Sequence, residues 1–579
     1  MTAANAPEVL CIGPARLTAG LDRLARVDLT AFGALFGALR RREADELIAM
    51  AAEVDLRGRG GAAFPVARKL ASVRDAAQAR GKEAVVLVNA TEGEPGSAKD
   101  RMLLTRSPYL VLGGAMLAAW ALESRRIVIG VTDAEVGAAA TAAAAADPKL
   151  RKLARVVKVP DRFVSGEGGA LVNAVNGKAA RPPGRKVLPS DSGVSGMPTL
   201  LSNAETFAQL AVLALLGPDG YARAGSELEP GTVLLTVGGA AGRPAVVEVP
   251  AGLPLGRVLD HCAAAPGAGV LVGGYHGRWL PPWLAPGVPV SRAGLTAAGG
   301  TLGAGVVLTL EEDTCAIGEV ARVAAYLASQ SSGQCGPCAL GLPAVARSLA
   351  AVADGSGGQD AVEAARRTAA AAVRRGACAH PDGVFRFVQS ALEVFAGDVA
   401  AHVLAGACGR PVRGVLPLPA QAGETRLEVD WARCQGHGLC SRIVPELVQT
   451  DSHGYPAVLG MAVPPWLERD ARRAVAMCPA LALRLTADGR PAKREQVSPR
   501  AEQWPAIAST PGSNSGVQRA IGPAPRRPGA RVGRDEAGAA AAAGPLADRT
   551  VSGTVVSDEE WIAELSKASG LTAHGQVLR

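Results

Sequence analysis

Ala84-Val-Val-Leu-Val-Asn-Ala-Thr-Glu-Gly-Glu-Pro-Gly96 is the stretch that decides the fold. Its first half is an unbroken aliphatic run, the signature of a strand buried on both faces. Its second half is a turn-rich loop of Gly, Pro and acidic residues. The same unit recurs on either side. Ile127-Val-Ile-Gly-Val131 reads as a second strand, followed by an Ala-rich helix that Pro148 ends, and residues 156–159 read as a third. The third strand feeds Ser165-Gly-Glu-Gly-Gly169, and a helix follows from about Ala170. Strand–loop–helix repetition over residues 55–225 predicts a largely parallel sheet with ligands gathered at the strand C-termini.

Beyond this the pattern changes. Short strands (VLLTVGG, AVVEVP, GVLVGGY, GVVLTL) around one short helix near 255–262 predict a small α+β module. From Ile317 apolar residues fall at helical spacing (Val320, Val323, Ala324, Leu327). The expected organisation is an α/β domain at 1–228, an α+β domain at 229–316, a helical domain at 317–405, a linker at 406–425, a cysteine-bearing α+β domain at 426–489 and a mostly disordered tail at 490–579. Within the tail, Ser557-Asp-Glu-Glu560 is a capping box that opens a short helix over 558–569.

The formal charge of +8 owes much to the tail, where Arg526, Arg527, Arg531 and Arg534 cluster without interleaved aromatics, a pattern that excludes nucleic-acid binding. The N-terminal residues lack the basic and apolar regions of a secretory signal. The longest apolar runs, such as 110–122, fall short of the roughly 20 residues that cross a bilayer. Several of the 10 cysteines stand in C-x-x-C and C-P contexts, which predicts metal or cluster ligation in a reducing compartment, the cytoplasm. Cys11, Cys262, Cys315 and Cys408 read as small buried hydrophobes.

Four loops carry the candidate chemistry: Leu56-Arg-Gly-Arg-Gly-Gly-Ala-Ala-Phe64 with Lys69 after it, Asn89 to Gly96, Gly166-Glu-Gly-Gly169, and Pro198-Thr-Leu-Leu-Ser-Asn203-Ala-Glu205-Thr206. Glycines let backbone N–H groups approach a phosphate, a lysine supplies counter-charge, and acidic residues such as Glu92 and Glu94 accept from ribityl or ribose hydroxyls. In this order, and over residues 50–400, the loops resemble the F subunit of NADH-quinone oxidoreductase, which bears the flavin of respiratory complex I. The resemblance implies a Rossmann-like FMN domain, a ubiquitin-like (SLBB-type) domain and a helical iron–sulfur domain. It implies FMN held by Gly58, Gly60, Lys69, Asn89, Gly166, Glu167 and Asn203. NADH would lie on the flavin, with Phe64 against the adenine and Glu94 near its ribose. The chain departs from the family at Ala63, Thr91, Gly168, Gly169 and Ser202, and it lacks the aromatics that usually follow the lysine.

The helical domain holds Ser332-Gly-Gln-Cys335-Gly-Pro-Cys338 and, further on, Cys378, where the family has four cysteines around a [4Fe–4S] cluster. With Ser332 at the first position, a three-iron cluster, a Ser- or solvent-ligated four-iron cluster, no cluster, and zinc on Cys335, Cys338, Cys378 and His380 all remain open. Near the C-terminus, Cys434-Gln-Gly-His437-Gly-Leu-Cys440 and Cys478-Pro479 resemble the single-cluster bacterial ferredoxins that hold [3Fe–4S] or [4Fe–4S] and often serve cytochromes P450. The expected activity is electron transfer from NAD(P)H through FMN and the clusters to the fused ferredoxin, and on to a redox protein such as a cytochrome P450. A thioredoxin-like [2Fe–2S] protein is a further expected partner. The alternative is a non-catalytic iron–sulfur carrier or scaffold that has lost NADH binding, with or without loss of FMN.

Overall fold

The computed structural model describes residues 8–184, 188–419, 425–445, 447–458, 463, 467–487 and 490–491. The expected tail helix at 558–569 lies outside them.

The structure opens with strand β1 (Glu8–Cys11), then builds a four-stranded parallel sheet from β2 (Val85–Ala90), β3 (Ile127–Val131), β4 (Ala154–Lys158) and β5 (Thr199–Asn203), in the order β4-β3-β2-β5. β3 is buried throughout and β2 almost so, because helices cover both faces. Helices Pro108–Ala121 and Ala204–Ala222 pack together on one side, and Val85, Leu87, Val128 and Leu171 form a smaller cluster on the other. β2 and β5 are neighbours, with β5 at the edge of the sheet, so the loops after both strands open side by side.

A six-stranded mixed sheet follows: β6 (Thr232–Gly239), β7 (Ala245–Pro250), β8 (Gly269–Val272), β9 (Arg278–Leu280) and β10 (Val306–Leu310), in the order β1-β7-β6-β10-β8-β9. The first strand therefore belongs here and not with the flavin domain, which corrects the boundary drawn from sequence. Four residues of strand carry no information about which edge they join. Buried Glu248 makes the choice, accepting from the backbone N–H groups of Arg16, Leu17 and Thr18 and from the hydroxyls of Thr18 and Thr232.

Helices Ala316–Ser329, Leu342–Ala353, Gly358–Ala372, His380–Val394 and Ala396–Ala405 make the helical domain. The expected linker is only partly one. Its first portion packs against these helices, with Leu416 fully buried. Buried Glu319 accepts from Gly414 N (2.5 Å) and Leu416 N (3.2 Å) and pairs with Arg322 at 2.6 Å. Glu319→Ala leaves two backbone donors and a guanidinium without their carboxylate. It should cost about 3 kcal/mol and open residues 410–418 to trypsin, read as faster cleavage after Arg413.

In the last described domain β14 (Leu483–Ala487) pairs on one side with β11 (Thr425–Val429) and on the other with β15 (Arg490–Pro491), and β12 (Val448–Thr450) pairs with β13 (Pro456–Val458). Helices Leu439–Ile443 and Glu468–Met477 complete it. Among the described residues no single helix is long and apolar enough to cross a membrane.

Candidate functional site

The four predicted loops meet at the C-terminal ends of β2 and β5. Gly58 N donates to Phe64 O (3.0 Å), closing the first loop, and Arg59 N donates to Thr206 Oγ1 (2.9 Å), tying it to the helix after β5. A Cβ on Gly60 would lie 3.2 Å from the Asn203 side chain, and one on Gly166 2.9 Å from Thr91 Oγ1, so both positions keep the backbone bare where the loops converge. Lys69 Nζ donates to Leu201 O (2.9 Å), and burial lowers its pKa. Phe64 is 48% exposed at the rim, its ring 6.0 Å from Lys69 Nζ. Asn89 Nδ2 donates to Gly166 O (2.9 Å), joining the second loop to the third.

Three predicted ligands are occupied within the protein. Glu92 accepts from Ser97 Oγ and from the backbone N–H groups of Asp100 and Arg101, so it caps helix Lys99–Arg106. Glu167 caps helix Gly168–Val175 through Ala170 N (2.8 Å). Asn203 accepts from Lys99 Nζ (2.9 Å) and Glu205 N, and donates to Asp100 Oδ2 (2.5 Å).

Sequence reading missed the buried charges beneath them. Lys99 lies 2.7 Å from Asp100 and 3.3 Å from Glu205, and Arg59 lies 4.0 Å from Glu205. Burial opposes the charge on Lys99, but its acidic neighbours outweigh that and raise its pKa. No local pattern marks this group, because Glu205 lies about a hundred positions from Lys99 in the chain.

Glu94 behaves differently. It is half-buried against the middle domain, and its Oε2 accepts from Tyr275 N (2.9 Å). Its Oε1 is buried and has no hydrogen-bond partner. Desolvation pushes its carboxyl up to about 8. A buried acceptor oxygen without a partner, on a carboxylate packed against the backbone of Gly274, fits a hydroxyl-bearing ligand.

Phe163, between the second and third loops, packs against His276 (centroids 4.7 Å apart), His380 (5.5 Å) and Tyr326 (6.3 Å). This aromatic contact joins the segment between these loops to the middle domain through His276 and to the helical domain through Tyr326 and His380. There, a wide π-type turn over Pro337–Gly341 carries buried Cys338. Burial, and then the nearby thiols Cys335 and Cys378, push the Cys338 pKa up, so both other predicted cysteines lie within electrostatic reach of it. Ser332 is buried beside them, with its hydroxyl directed to Gln334 Oε1 (3.3 Å). The zinc set with His380 is not supported: its Nδ1 meets His276 Nε2 (2.9 Å) and its Nε2 meets Leu327 O (2.9 Å).

In the last domain, Cys434, Cys440 and Cys478 line one cavity together with His437, Pro456 and Pro479. Gly436 and Gly438, both at φ +67°, wind the loop so that its two cysteines face inward. Ala482 N donates to Cys478 Sγ (3.3 Å), a bond suited to a ligating sulfur.

Residues 51–212 match the Nuo51 FMN-binding domain, 318–402 the NADH-ubiquinone oxidoreductase-F iron–sulfur binding region, and 427–485 the 4Fe-4S single cluster domain. Over these two regions the chain is similar to the F subunit of NADH-quinone oxidoreductase. Among its relatives there, the second such F subunit of Rhizobium meliloti (strain 1021) is 28% identical over 391 residues, covering 64% of this chain and 92% of the relative. The F subunit of the same enzyme in Mycobacterium tuberculosis (strain ATCC 25618 / H37Rv) is 29% identical over 398 residues, covering 63% and 86%. An NAD+-reducing [NiFe]-hydrogenase crystallised in the air-oxidized state superposes with a TM-score of 0.60 at 26% identity, covering 69% of this chain and 68% of that one. The FMN-binding and 4Fe-4S domains are thus present, and the single-cluster domain is fused behind the region shared with these relatives.

The departures from the family pattern have local causes. A Cβ at Gly169 would lie 2.2 Å from Pro183 Cδ, so the proline occupies the space a larger side chain would need. Thr91 Oγ1 donates to Asn89 Oδ1 (2.8 Å), bracing the asparagine rather than facing outward. Ala63 takes a glycine's left-handed conformation at φ +47°.

Proposed function

We propose that this chain oxidises NADH at FMN and conducts the electrons through the helical-domain cluster to its fused single-cluster domain. The observation that carries the reading is Glu94, in the loop after β2, whose carboxylate keeps one buried oxygen without a partner. Gly58, Gly60, Gly166 and Lys69 would hold the phosphate and ring, and Phe64 would cover the dinucleotide's adenine. Bound FMN would supply the exchange between hydride and single electrons. The chain's own residues hold the nicotinamide against it and keep the loops braced through Asn89, Glu167 and Asn203. Cys335, Cys338 and Cys378 would ligate one cluster, and Cys434, Cys440 and Cys478 the other. Domain by domain, the reading is a Rossmann-like flavin domain, a ubiquitin-like middle domain and a ferredoxin-like end. The tether raises the ferredoxin's effective concentration at its donor. His437 in place of a fourth cysteine favours a three-iron centre there, with a redox protein such as a cytochrome P450 as acceptor and the cytoplasm as the compartment.

A second reading, an electron carrier without nucleotide binding, is favoured by the internal commitment of Asn203 and Glu92 and by Pro183 filling the space at Gly169. Anaerobic purification with assay of FMN, iron and sulfide, followed by NADH and NADPH addition, separates the two. Bleaching of the flavin band and reduction of the clusters by either nucleotide supports the oxidoreductase. Iron without flavin, and no response to either, leaves the carrier.

A further inference from the structure

We propose that Cys315, His402 and Cys408 form a structural zinc site, separate from both clusters, that clamps the chain leaving the helical domain. Their ligating atoms all lie within 4.8 Å of one another, and this is the one such group of three among the described residues. Cys315 and His402 are buried and Cys408 is half-buried. Cys315 Sγ lies 3.2 Å from His402 Nε2, close to the roughly 3.5 Å that adjacent sulfur and nitrogen ligands span on a tetrahedral zinc with bonds of about 2.3 and 2.0 Å. The other ring nitrogen, Nδ1, is buried without a hydrogen-bond partner.

The three residues come from three separate segments. Cys315 caps helix Ala316–Ser329, His402 sits in the last turn of helix Ala396–Ala405, and Cys408 follows that helix's glycine end. The chain after Cys408 then turns back over the site: Cys315 N donates to Pro411 O (2.9 Å), and Arg410 pairs with Asp398. Asp398 is held by that arginine and by Ala316 N, so it is not a free fourth ligand. A water on the side where Cys408 meets solvent completes the tetrahedron.

Two thiolates and an imidazole suit a borderline-soft, redox-inert ion, and binding sends two thiol protons to solvent with no change in oxidation state. Such an ion crosslinks the start of the helical domain to its end. It fixes the point from which the ferredoxin is tethered.

The test uses the full-length protein purified anaerobically from medium supplemented with zinc, and in parallel with cobalt. Elemental analysis should find about one zinc per chain, falling at least fivefold in Cys408→Ser and in His402→Ala while iron is unchanged. The unsubstituted protein carrying cobalt should show the visible bands of tetrahedral thiolate ligation, and this arm does not depend on any variant folding. Either of two results overturns the proposal: zinc that is absent or unaffected by both substitutions together with no cobalt bands, or a mass two hydrogen atoms lighter showing a Cys315–Cys408 disulfide in the anaerobic protein.

Discussion

Glu94→Gln should abolish a decline in stability that the unsubstituted protein shows between about pH 4.5 and pH 8. The carboxyl's folded-state pKa is pushed up to about 8 by burial, against an ordinary value of 4.5. Below pH 4.5 it is protonated in both folded and unfolded chains and contributes no difference. As the pH rises, the unfolded chain releases the proton first, so the folded state binds more protons and loses stability until its own carboxyl ionises near 8. The shift sets a ceiling of about 4–5 kcal/mol on that loss. Glutamine preserves the shape and the bond from Tyr275 N but cannot ionise. Thermal unfolding followed by intrinsic fluorescence or calorimetry, at pH 5 and pH 8.5, checks this; parallel curves for the two proteins would sink it. On the proposed function the same group should set the nucleotide response. An ionised Glu94 accepts hydroxyl hydrogen bonds roughly twice as strong as a neutral one does. The KM for NADH should therefore fall as the pH passes 8, and in the glutamine variant should be flat and about tenfold higher at pH 9. With kcat nearly unchanged, such a result would assign Glu94 to binding rather than chemistry.

Ser332→Cys should convert the helical-domain centre to four-thiolate ligation. Ser332 is buried beside the three cysteines, and its hydroxyl makes one long bond, to Gln334. A thiol replaces it with little change in volume and no loss of a strong partner. Four cysteines hold [4Fe–4S], whereas three leave one iron exposed to loss, so iron in the air-exposed protein should rise by about one per chain. The three-iron EPR signal from this domain should disappear, while that of the ferredoxin domain stays. Identical iron content and spectra in the two proteins would show that serine, or solvent in its place, already retains the fourth iron.

Much of the architecture was legible because its signals are local. Val85–Ala90 and Ile127–Val131 are apolar on both faces, and a strand with that property must be central in a covered sheet. The glycine loops, the lysine and the C-x-x-C and C-P cysteines carry their chemistry in residue type and spacing, and the structure brings each set together. What sequence could not supply was the direction of each side chain. Glu92 and Glu94 are two residues apart in one acidic loop; one caps a helix and the other is left with an unpaired oxygen. Only the approach of Tyr275 from the middle domain, some 180 positions away, distinguishes them.

The cysteines divide in the same way. Cys434, Cys440 and Cys478 announce themselves by motif, because a cluster loop must present thiolates at short, fixed intervals. Cys315 and Cys408 stand almost a hundred residues apart with no motif around either, and sequence marked them only as small hydrophobes. The fold sets both beside His402, because the helical domain closes on itself and the chain leaving it is drawn back by Glu319. By itself, then, the sequence determined the order of the domains, the parallel sheet and the two cluster motifs, since hydrophobic period and ligand spacing are properties of neighbouring residues. Tertiary structure alone decided where the first strand pairs, which carboxylates remain free to bind, and which distant thiols share a pocket. Those outcomes depend on groups that meet only after long loops have closed.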